Sequence, residues 1–544
     1  MIKIKNGISI FTAALLTVAS TPLSSIAMAE TINKTIQSEE QVAFEREGVI
    51  PEQGSFYDFD FYSGEIDNTA TSKKDDRDNL PSYVNLSNDP CFPALGNQGA
   101  LGSCTAFATT YYQFSYEVNK LNGVTNSSDM VVYSPKWTYN FINGGADSGA
   151  YISDAYTVLN KYGALLLSDL QYDSNYTWLP GNTNLNSNEM ITERIEALKT
   201  RLSSFSTVSL SNSGTIIDNP DDADLYIIKS LLSSGKVLTI TTATSFNWKY
   251  GTDHNNATIK MNYRCSSGGG HAMAVVGYDD NAWCDVNNNG VREDCECGAF
   301  ICANSYGSSG VSNDTNGFKW VLYDALNSVS SNTVNNWESS LTGTRTQAFS
   351  FSTGQPTFWS INVAHKTVNY IGEIDIDTGN GTLSDCQYKV GRAAVNSNSI
   401  TYISNMLPSK STGSYNGKII FDYDYLCNPI QSHLSGYKWY VNFTELQGAY
   451  SFKVVDDLNN AIVNNTINSS ANQKNITIST AIGDIDYSGE MTHSDSYMIL
   501  LYDSGLLQLS TLQMLLADYT QDGRVNLNDY VAIEQALSNG EGLS

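Results

Sequence analysis

The hydrophobic pattern changes period along the chain. Between residues 80 and 345, Ile191, Ile195, Leu198 and Leu202 recur at helical spacing. Asp221-Asp222 can cap a second helix carrying Leu225, Ile228 and Leu231, which stops near Gly235, and Val237 to Thr241 then predicts a strand. From about 346 to 478 the period becomes two. Ile374 and Ile376 alternate with Glu373, Asp375 and Asp377; Phe421, Tyr423 and Tyr425 alternate with Asp422 and Asp424; Trp439, Val441 and Phe443 alternate with polar neighbours. Short alternating strands split by Asn/Gly/Ser turns predict an all-β sandwich. From 479 onward an acidic loop followed by an apolar, helix-like stretch occurs twice, with stretches Tyr497 to Leu507 and Tyr530 to Leu537.

This pattern divides the 544 residues into 1–29, 30–79, 80–345, 346–478 and 479–544. The three folded units among these agree with a prior of about 150 residues per domain. The net charge of −26 argues against a phosphate-reading nucleic-acid binder and against a polybasic membrane binder. Only 16% of residues are charged, so the polar surface is mostly Asn, Ser, Thr and Tyr, which suits work outside the cell. Lys3 and Lys5, an apolar stretch from Ile8 to Ala19, and Ala27-Met28-Ala29 before Glu30 predict a cleaved signal peptide and secretion. The apolar stretch is shorter than the roughly 20 residues of a spanning helix, so no direct membrane insertion is expected; a retained anchor is the alternative. Residues 30–79 are polar and end in the charged run Lys73-Lys74-Asp75-Asp76-Arg77-Asp78, an exposed connector. Nine cysteines are too few for a disulfide-built scaffold, and the odd count asks which thiol stays free; Cys386 and Cys427 are a candidate bridge within the sandwich.

Gln98-Gly99-Ala100-Leu101-Gly102-Ser103-Cys104 is a Gly-rich turn that delivers one cysteine to the start of a helix running through Tyr111, Tyr112 and Phe114. A helix N-terminus favours the thiolate, and small Gly102 and Ser103 leave room for a substrate backbone. A thiolate nucleophile also needs a proton partner and oxyanion donors. His254, in a polar turn, reads as solvated. His271, after Gly268-Gly269-Gly270 and at the mouth of the apolar strand Ala272 to Gly277, reads as the partner. Asn304 ends another apolar strand, Phe300 to Ala303, where a carboxamide can orient an imidazole.

These segments, in this order, resemble the papain-like cysteine peptidases: Gln98 six residues before Cys104, Gly268 to Tyr278 as the His motif, Asn304-Ser305-Tyr306-Gly307 as Asn-Ser-Trp-Gly, Leu80-Pro81-Ser82-Tyr83-Val84-Asn85 as the mature N-terminus. The resemblance implies a two-lobed α+β fold and roles residue by residue. Cys104 attacks, His271 moves the proton, Asn304 holds the imidazole, and Gln98 with the Cys104 N–H binds the oxyanion. Gly102, Ser103, Ser148, Gly149, Gly270 and Tyr306 would line the substrate, with Gly144-Gly145 as the alternative to Ser148-Gly149. There are departures: Leu101 replaces a disulfide cysteine, Tyr306 replaces the Trp over the Asn–His contact, and the Cys104-to-His271 interval exceeds the roughly 130–150 residues usual to the downstream partners. Residues 30–79 are also short for the family's inhibitory propeptide.

Asp484-x-Asp486-x-Ser488-Gly489-x-x-Thr492-x-x-Asp495 and Asp518-x-Thr520-x-Asp522-Gly523-x-x-Asn526-x-x-Asp529 place oxygen ligands where a calcium loop needs them, with the carbonyls of Glu490 and Arg524 at the seventh position. The tandem resembles dockerin modules, which plug enzymes into cohesins on bacterial scaffold proteins. That implies a small helical module whose folding needs Ca2+, two ions in all, and His493, Ser494, Leu527 and Asn528 as partner-choosing residues. A further loop, Asp285-x-Asn287-x-Asn289-Gly290-x5-Glu296, fits a calcium pattern too, with an Asn-Gly hairpin as the alternative. Cys284, Cys295 and Cys297 flank it, as bridges or zinc ligands.

The expectation is therefore a multidomain chain: peptidase, sandwich, dockerin. It would be a secreted endopeptidase on a cellulosome-type scaffold, acting on a polypeptide substrate, or else a catalytically silent binding or inhibitory subunit of that scaffold. A different Cys-His-Asn/Asp acyl-transfer enzyme is the third alternative, disfavoured by Gln98.

Overall fold

A computed structural model describes residues 80–143, 146–176, 188–210, 223–293, 296–326, 357–377, 387–394, 401–403, 416–423, 437–444, 449–456, 461–467 and 473–541. The signal peptide, the connector, Gly144-Gly145, Cys295, Cys386 and Cys427 lie outside the described residues. No helix among those described is long and apolar enough to cross a membrane.

The helical half of the first unit starts at Cys104. A single α-turn, Cys104–Ala106, passes into a π-helical stretch, Phe107–Phe114, and then into the α-helix Ser115–Leu121; together these are α1. Phe114, Val118, Tyr112 and Tyr116 are buried, so α1 lies inside the protein with apolar contacts on several sides. Pro135 opens α2 (Pro135–Ile142) at a position where its missing N–H has no partner to lose, and α3 (Ile152–Lys161) packs beside it.

The other half is a seven-stranded sheet ordered β2-β7-β3-β4-β5-β6, with β1 on β4. Its strands are β1 (Tyr83–Asn85), β2 (Thr200–Ser209), β3 (Leu238–Thr252), β4 (Thr258–Trp283), β5 (Cys297–Ala303), β6 (Phe318–Leu322) and β7 (Thr357–His365). Leu238 lies opposite Val275 and Thr252 opposite Thr258, so β3 and β4 fold back on one another across the Asp253–Ala257 turn. Asn85 faces Gly277, where any Cβ would come 2.0 Å from the Val84 carbonyl; only glycine lets β1 close on the sheet there. Asp279, beside this edge, is buried and bonds the ring of His254 (Nδ1 to Oδ2, 2.8 Å), which also lies 3.9 Å from the Tyr83 ring. His254 is thus a structural pin and not the solvated residue its polar turn suggested.

The boundary expected at 345 moves. Strand β7 pairs with β2 over its whole length and with β3, because Phe358, Trp359 and Ile361 bury their side chains in the same cores as α1 and the sheet. Beyond it come two four-stranded antiparallel sheets. One, β10-β9-β12-β15, is built from Thr401–Ile403, Gln387–Ala394, Tyr437–Thr444 and Gln473–Thr480. The other, β11-β8-β13-β14, is built from Asn416–Asp422, Tyr370–Asp377, Ala449–Asp456 and Ala461–Ile467.

The second of these sheets is covered on both faces. Ile371, Ile420 and Val455 meet Ile191, Ile195 and Leu198 of the first unit. Their neighbours Ile374, Ile419, Phe421 and Val454, which point to the opposite face, share a core with Leu512 and Leu516 from the C-terminal helices. A buried ion pair, Arg201 to Asp422 at 2.6 Å with both side chains 1% exposed, ties the sheet to β2. The C-terminal helices are α4 (His493–Asp503), α5 (Thr511–Ala517) and α6 (Leu527–Ser538), each begun by a capping box, from Thr492, Ser510 and Asn526.

Removing one member of a buried pair leaves the other charge in a medium that cannot solvate it, at about 3–5 kcal/mol. Asp422→Asn should therefore lower the urea midpoint read by tryptophan fluorescence, whereas Lys199→Gln, which breaks the exposed Lys199–Glu196 pair, should leave it nearly unchanged.

Candidate active site

Four of the sequence-predicted residues meet where the N-terminus of α1 abuts β4 and β5. The Cys104 sulfur accepts the N–H of Ala272 at 3.4 Å, which seats it against the peptide that follows His271. His271 Nε2 lies 2.8 Å from Asn304 Oδ1, while its Nδ1 is buried with no hydrogen-bond partner. Asn304 Oδ1 also accepts from Ser305 N–H at 2.9 Å, and its Nδ2 donates to Asp314 at 2.9 Å. The Tyr306 ring stacks on the imidazole, centroids 5.8 Å apart and planes 16° from parallel. The tyrosine therefore covers the imidazole as a flat lid, despite the change from Trp.

Gln98 is placed by backbone and side chain together. Its N–H bonds the Ser305 carbonyl at 2.7 Å, its Oε1 accepts the Ser305 hydroxyl, and one Nε2–H donates to the Leu101 carbonyl at 2.7 Å. A carboxamide has two N–H donors, so the second is the one that can reach an oxyanion. The Tyr172 hydroxyl donates to the Gln98 carbonyl at 2.8 Å and receives the Ser103 hydroxyl at 2.6 Å. The Gly102 N–H donates to Asp147 at 2.7 Å, and Tyr139 does so at 2.6 Å. Ser148 is exposed beside Asp147, Gly149 is buried with φ +90°, and Gly270 is buried next to His271. Asp147, Tyr172, Ser305 and Asp314 were not singled out by sequence reasoning. Asp314 stands in Asn313-Asp314-Thr315-Asn316-Gly317, which reads only as a turn.

Cys104, His271 and Asn304 are 0% exposed and Gln98 1%. Burial disfavours charge, so the Cys104 thiol is pushed up to about 12 and His271 is pushed down to about 4, the latter by burial first and then by the Lys319 charge. The closed site holds a neutral thiol beside a neutral imidazole. The thiolate expected from the helix N-terminus alone is outweighed here by desolvation.

The metal-loop residues divide differently. One carboxylate oxygen each from Asp484, Asp486 and Asp495 lies within 4.8 Å of the others, the one such group among the described residues. Burial and the neighbouring Asp495 and Asp486 push Asp484 up to about 6 even against the Gly489 N–H that it accepts, a strain a divalent cation would relieve. All three loops share one frame. The fourth residue is left-handed (Tyr487, Gln521 and Asn288 at φ 61°, 61° and 62°), as is the glycine at the sixth. The first carboxylate accepts that glycine's N–H (Asp484, Asp518 and Asp285), and the last (Asp495, Asp529 and Glu296) accepts N–H groups of the second or third residue. Thr520 spends its hydroxyl on Asp529, and Asn287 and Asn289 donate to Glu293, so the carboxylates of these two loops are less gathered. Cys284 and Cys297 are free thiols, as are Cys91, Cys104 and Cys302; the bridge considered for the flanking cysteines is not formed between these two.

The sign of the pH dependence follows from these directions. His271 titrates lower when folded, so its contribution is complete above its ordinary 6.5 and is lost as pH falls through about 4. Cys104 titrates higher, so its contribution is complete below its ordinary 9.0 and is lost as pH rises through about 12. The closed site should be most stable between these ordinary values. In His271→Gln the loss of denaturant stability between pH 6.5 and 4 should be shallower than in the parent chain.

No protein-family model matches the chain, and no curated protein matches it. Solved structures similar to it include papain-like cysteine proteases. Xylellain, a cysteine protease from Xylella fastidiosa, is 19% identical, with 58% of this chain and 96% of that one covered at a TM-score of 0.34. The bromelain protease from Ananas comosus is 13% identical, covering 52% and 99% at 0.32, and the proCathepsin B from Trypanosoma congolense is 12% identical, covering 63% and 99% at 0.36.

Proposed function

We propose that the chain is a papain-like cysteine endopeptidase, exported and carried on a scaffold by its C-terminal module. The observation that carries the first part is the bond from His271 Nε2 to Asn304 Oδ1 beside the seated sulfur of Cys104. With Nε2 donating, Nδ1 offers a lone pair. It takes the thiol proton as sulfur bonds to the peptide carbonyl carbon, and the carbonyl oxygen becomes an oxyanion met by the Cys104 N–H and the second Gln98 N–H. The imidazolium returns its proton to the departing amine, leaving a thioester. Water, deprotonated by the same nitrogen, then adds to the thioester and the thiol departs, regaining the proton.

A second reading has a specific observation behind it. All four groups are shut away from solvent, as they would be in a silent binding or inhibitory subunit. Under the enzymatic reading the same burial is a latent state that must open before a substrate reaches the sulfur.

The C-terminal module is read as a dockerin. The gathered carboxylates of the first loop suit calcium, held there by Asp484, Asp486, Ser488, the Glu490 carbonyl and Asp495. The second loop would hold another, on its ligand pattern alone, with Asp518, Thr520, Asp522, the Arg524 carbonyl and Asp529. A further calcium in the loop with Asp285, Asn287, Asn289 and Glu296 belongs to the same proposal. The partner is a cohesin of a scaffold protein. The apolar side chains of Tyr497, Leu506, Leu527 and Val531 stand 47% or more exposed on this module, and partly exposed Leu527 is among the residues where dockerins choose partners. Export rests on the N-terminal signal described above.

An epoxysuccinyl cysteine-peptidase probe should label Cys104, as mapped by mass; Cys104→Ala should lose peptide hydrolysis and labelling while keeping scaffold binding. A parent chain that is neither labelled nor active after reduction, and stays so after limited proteolysis has opened the closed site, decides for the silent reading. EDTA should abolish cohesin binding and reduce the helical signal of the C-terminal module; binding that survives chelation rejects the calcium reading.

A further inference from the structure

Asn304 is a carboxamide, and a carboxamide can turn its oxygen and nitrogen end for end at little cost. Only one orientation serves the proposed chemistry. With Oδ1 toward His271 the imidazole must carry its proton on Nε2, leaving Nδ1 as the base. With Nδ2 toward His271, the proton would move to Nδ1 and the base would be lost. Something must choose. Ser305 N–H donates to Oδ1 and so favours the useful orientation, but it is one weak voter. On the other side of the amide stands Asp314, which accepts the Nδ2–H bond with nitrogen and oxygen 2.9 Å apart; it is 3% exposed as a residue with a side chain shut from solvent. An ionised carboxylate has no proton to donate, so it can face only the NH2 end. Lys319, 3.9 Å away and equally buried, supplies the countercharge that keeps a carboxylate inside the protein.

We propose that Asp314 is a positioning residue: by accepting from Asn304 Nδ2 it fixes the carboxamide, and through the carboxamide it selects the Nε2–H tautomer of His271. The inference deepens the peptidase reading and rests on it for its catalytic meaning. The relay is Asp314 carboxylate, Asn304 amide, His271 ring, Cys104 thiol, and each link is one donor facing one acceptor. Asp314 does not touch the reacting atoms.

The same pair also bears on the charge of the ring. The groups that face His271 are the Tyr306 ring, stacked on the imidazole, the Cys104 thiol from α1, seated on the next peptide, and the Asn304 amide. The charges of Asp314, from the loop after Asn304, and Lys319 from β6 act on it from behind. Asp314 favours the imidazolium and Lys319 opposes it. Neutralising one or the other should therefore move His271 in opposite directions, while only the loss of Asp314 should also change its tautomer.

The test is 15N NMR of the full chain labelled at histidine, with the His271 signal assigned from its absence in His271→Gln. The parent chain should show the Nε2–H tautomer alone. Asp314→Asn, whose amide can face Asn304 either way, should show both tautomers and a lower titration midpoint, with kcat/KM down roughly 10–100-fold and KM little changed. Lys319→Met should keep one tautomer and raise the midpoint. The double variant Asp314→Asn/Lys319→Met restores charge balance should the single variant not fold, and it too should show mixed tautomers. A folded Asp314→Asn or double variant with a single Nε2–H tautomer overturns the proposal, and so does loss of fold in both, which would assign the pair a structural role. A parent chain still inert to the epoxysuccinyl probe after reduction and limited proteolysis would sink the peptidase reading instead, while the NMR comparison still decides what Asp314 does.

Discussion

The seam between α1 and the seven-stranded sheet is the constraint on which the rest depends, because it alone brings the sulfur to the imidazole. Away from the reacting groups it is held by polar side chains whose valences are spent. Gln113 donates to the carbonyls of Val237 and Trp359 at 2.9 and 2.8 Å and accepts from Tyr156 and Thr239 at 2.6 and 2.8 Å. One residue earlier, Tyr112 receives the Gly96 N–H at 3.0 Å and donates to the Asn304 carbonyl, linking the loop that carries Gln98 to the end of the strand before Asn304. Groups buried this deeply cost free energy unless satisfied, so a satisfied network admits one register of helix on sheet and penalises the others.

How much of this the sequence disclosed depends on how local the signal was. Cys104, His271 and Asn304 each stand at the end of an element, beside a glycine run or an apolar strand, and those local marks survive in a linear reading. The loop frames from Asp484, Asp518 and Asp285 were equally legible, because a twelve-residue loop contains its own geometry. Asp314 was not legible, since its role comes from facing a side chain ten positions back across a turn. Nor was the membership of β7, whose alternation looks like that of the later strands; its partners β2 and β3 lie far upstream. Burial was the largest omission. A helix start near a cysteine suggests a thiolate, and only the packed surroundings reveal that desolvation points the other way.

The sheet β11-β8-β13-β14 explains why the expected units are less separate than the chain pattern implies. Strict alternation of apolar and polar residues suggests one dry face, yet adjacent residues such as Ile419 and Ile420, or Val454 and Val455, are buried on opposite faces. A two-faced sheet is an adaptor: one side belongs to α-helical neighbours in the N-terminal half and the other to the C-terminal helices. Arg201 and Asp422 add orientation to this apolar contact, since a charge pair has a direction where a hydrophobic patch does not.

Tyr487 carries that coupling one step further. It occupies the left-handed fourth position of the first acidic loop, and its hydroxyl reaches Asp456 at the end of β13 at 3.0 Å and Ser510 at 3.1 Å. The backbone twist that shapes the acidic loop is thus the same twist that aims a phenol at the adjacent sheet. A tail bolted on in this way is a bracket and not a leash: the C-terminal helices take a set bearing on the sheet beside them, decided by packing instead of by wandering.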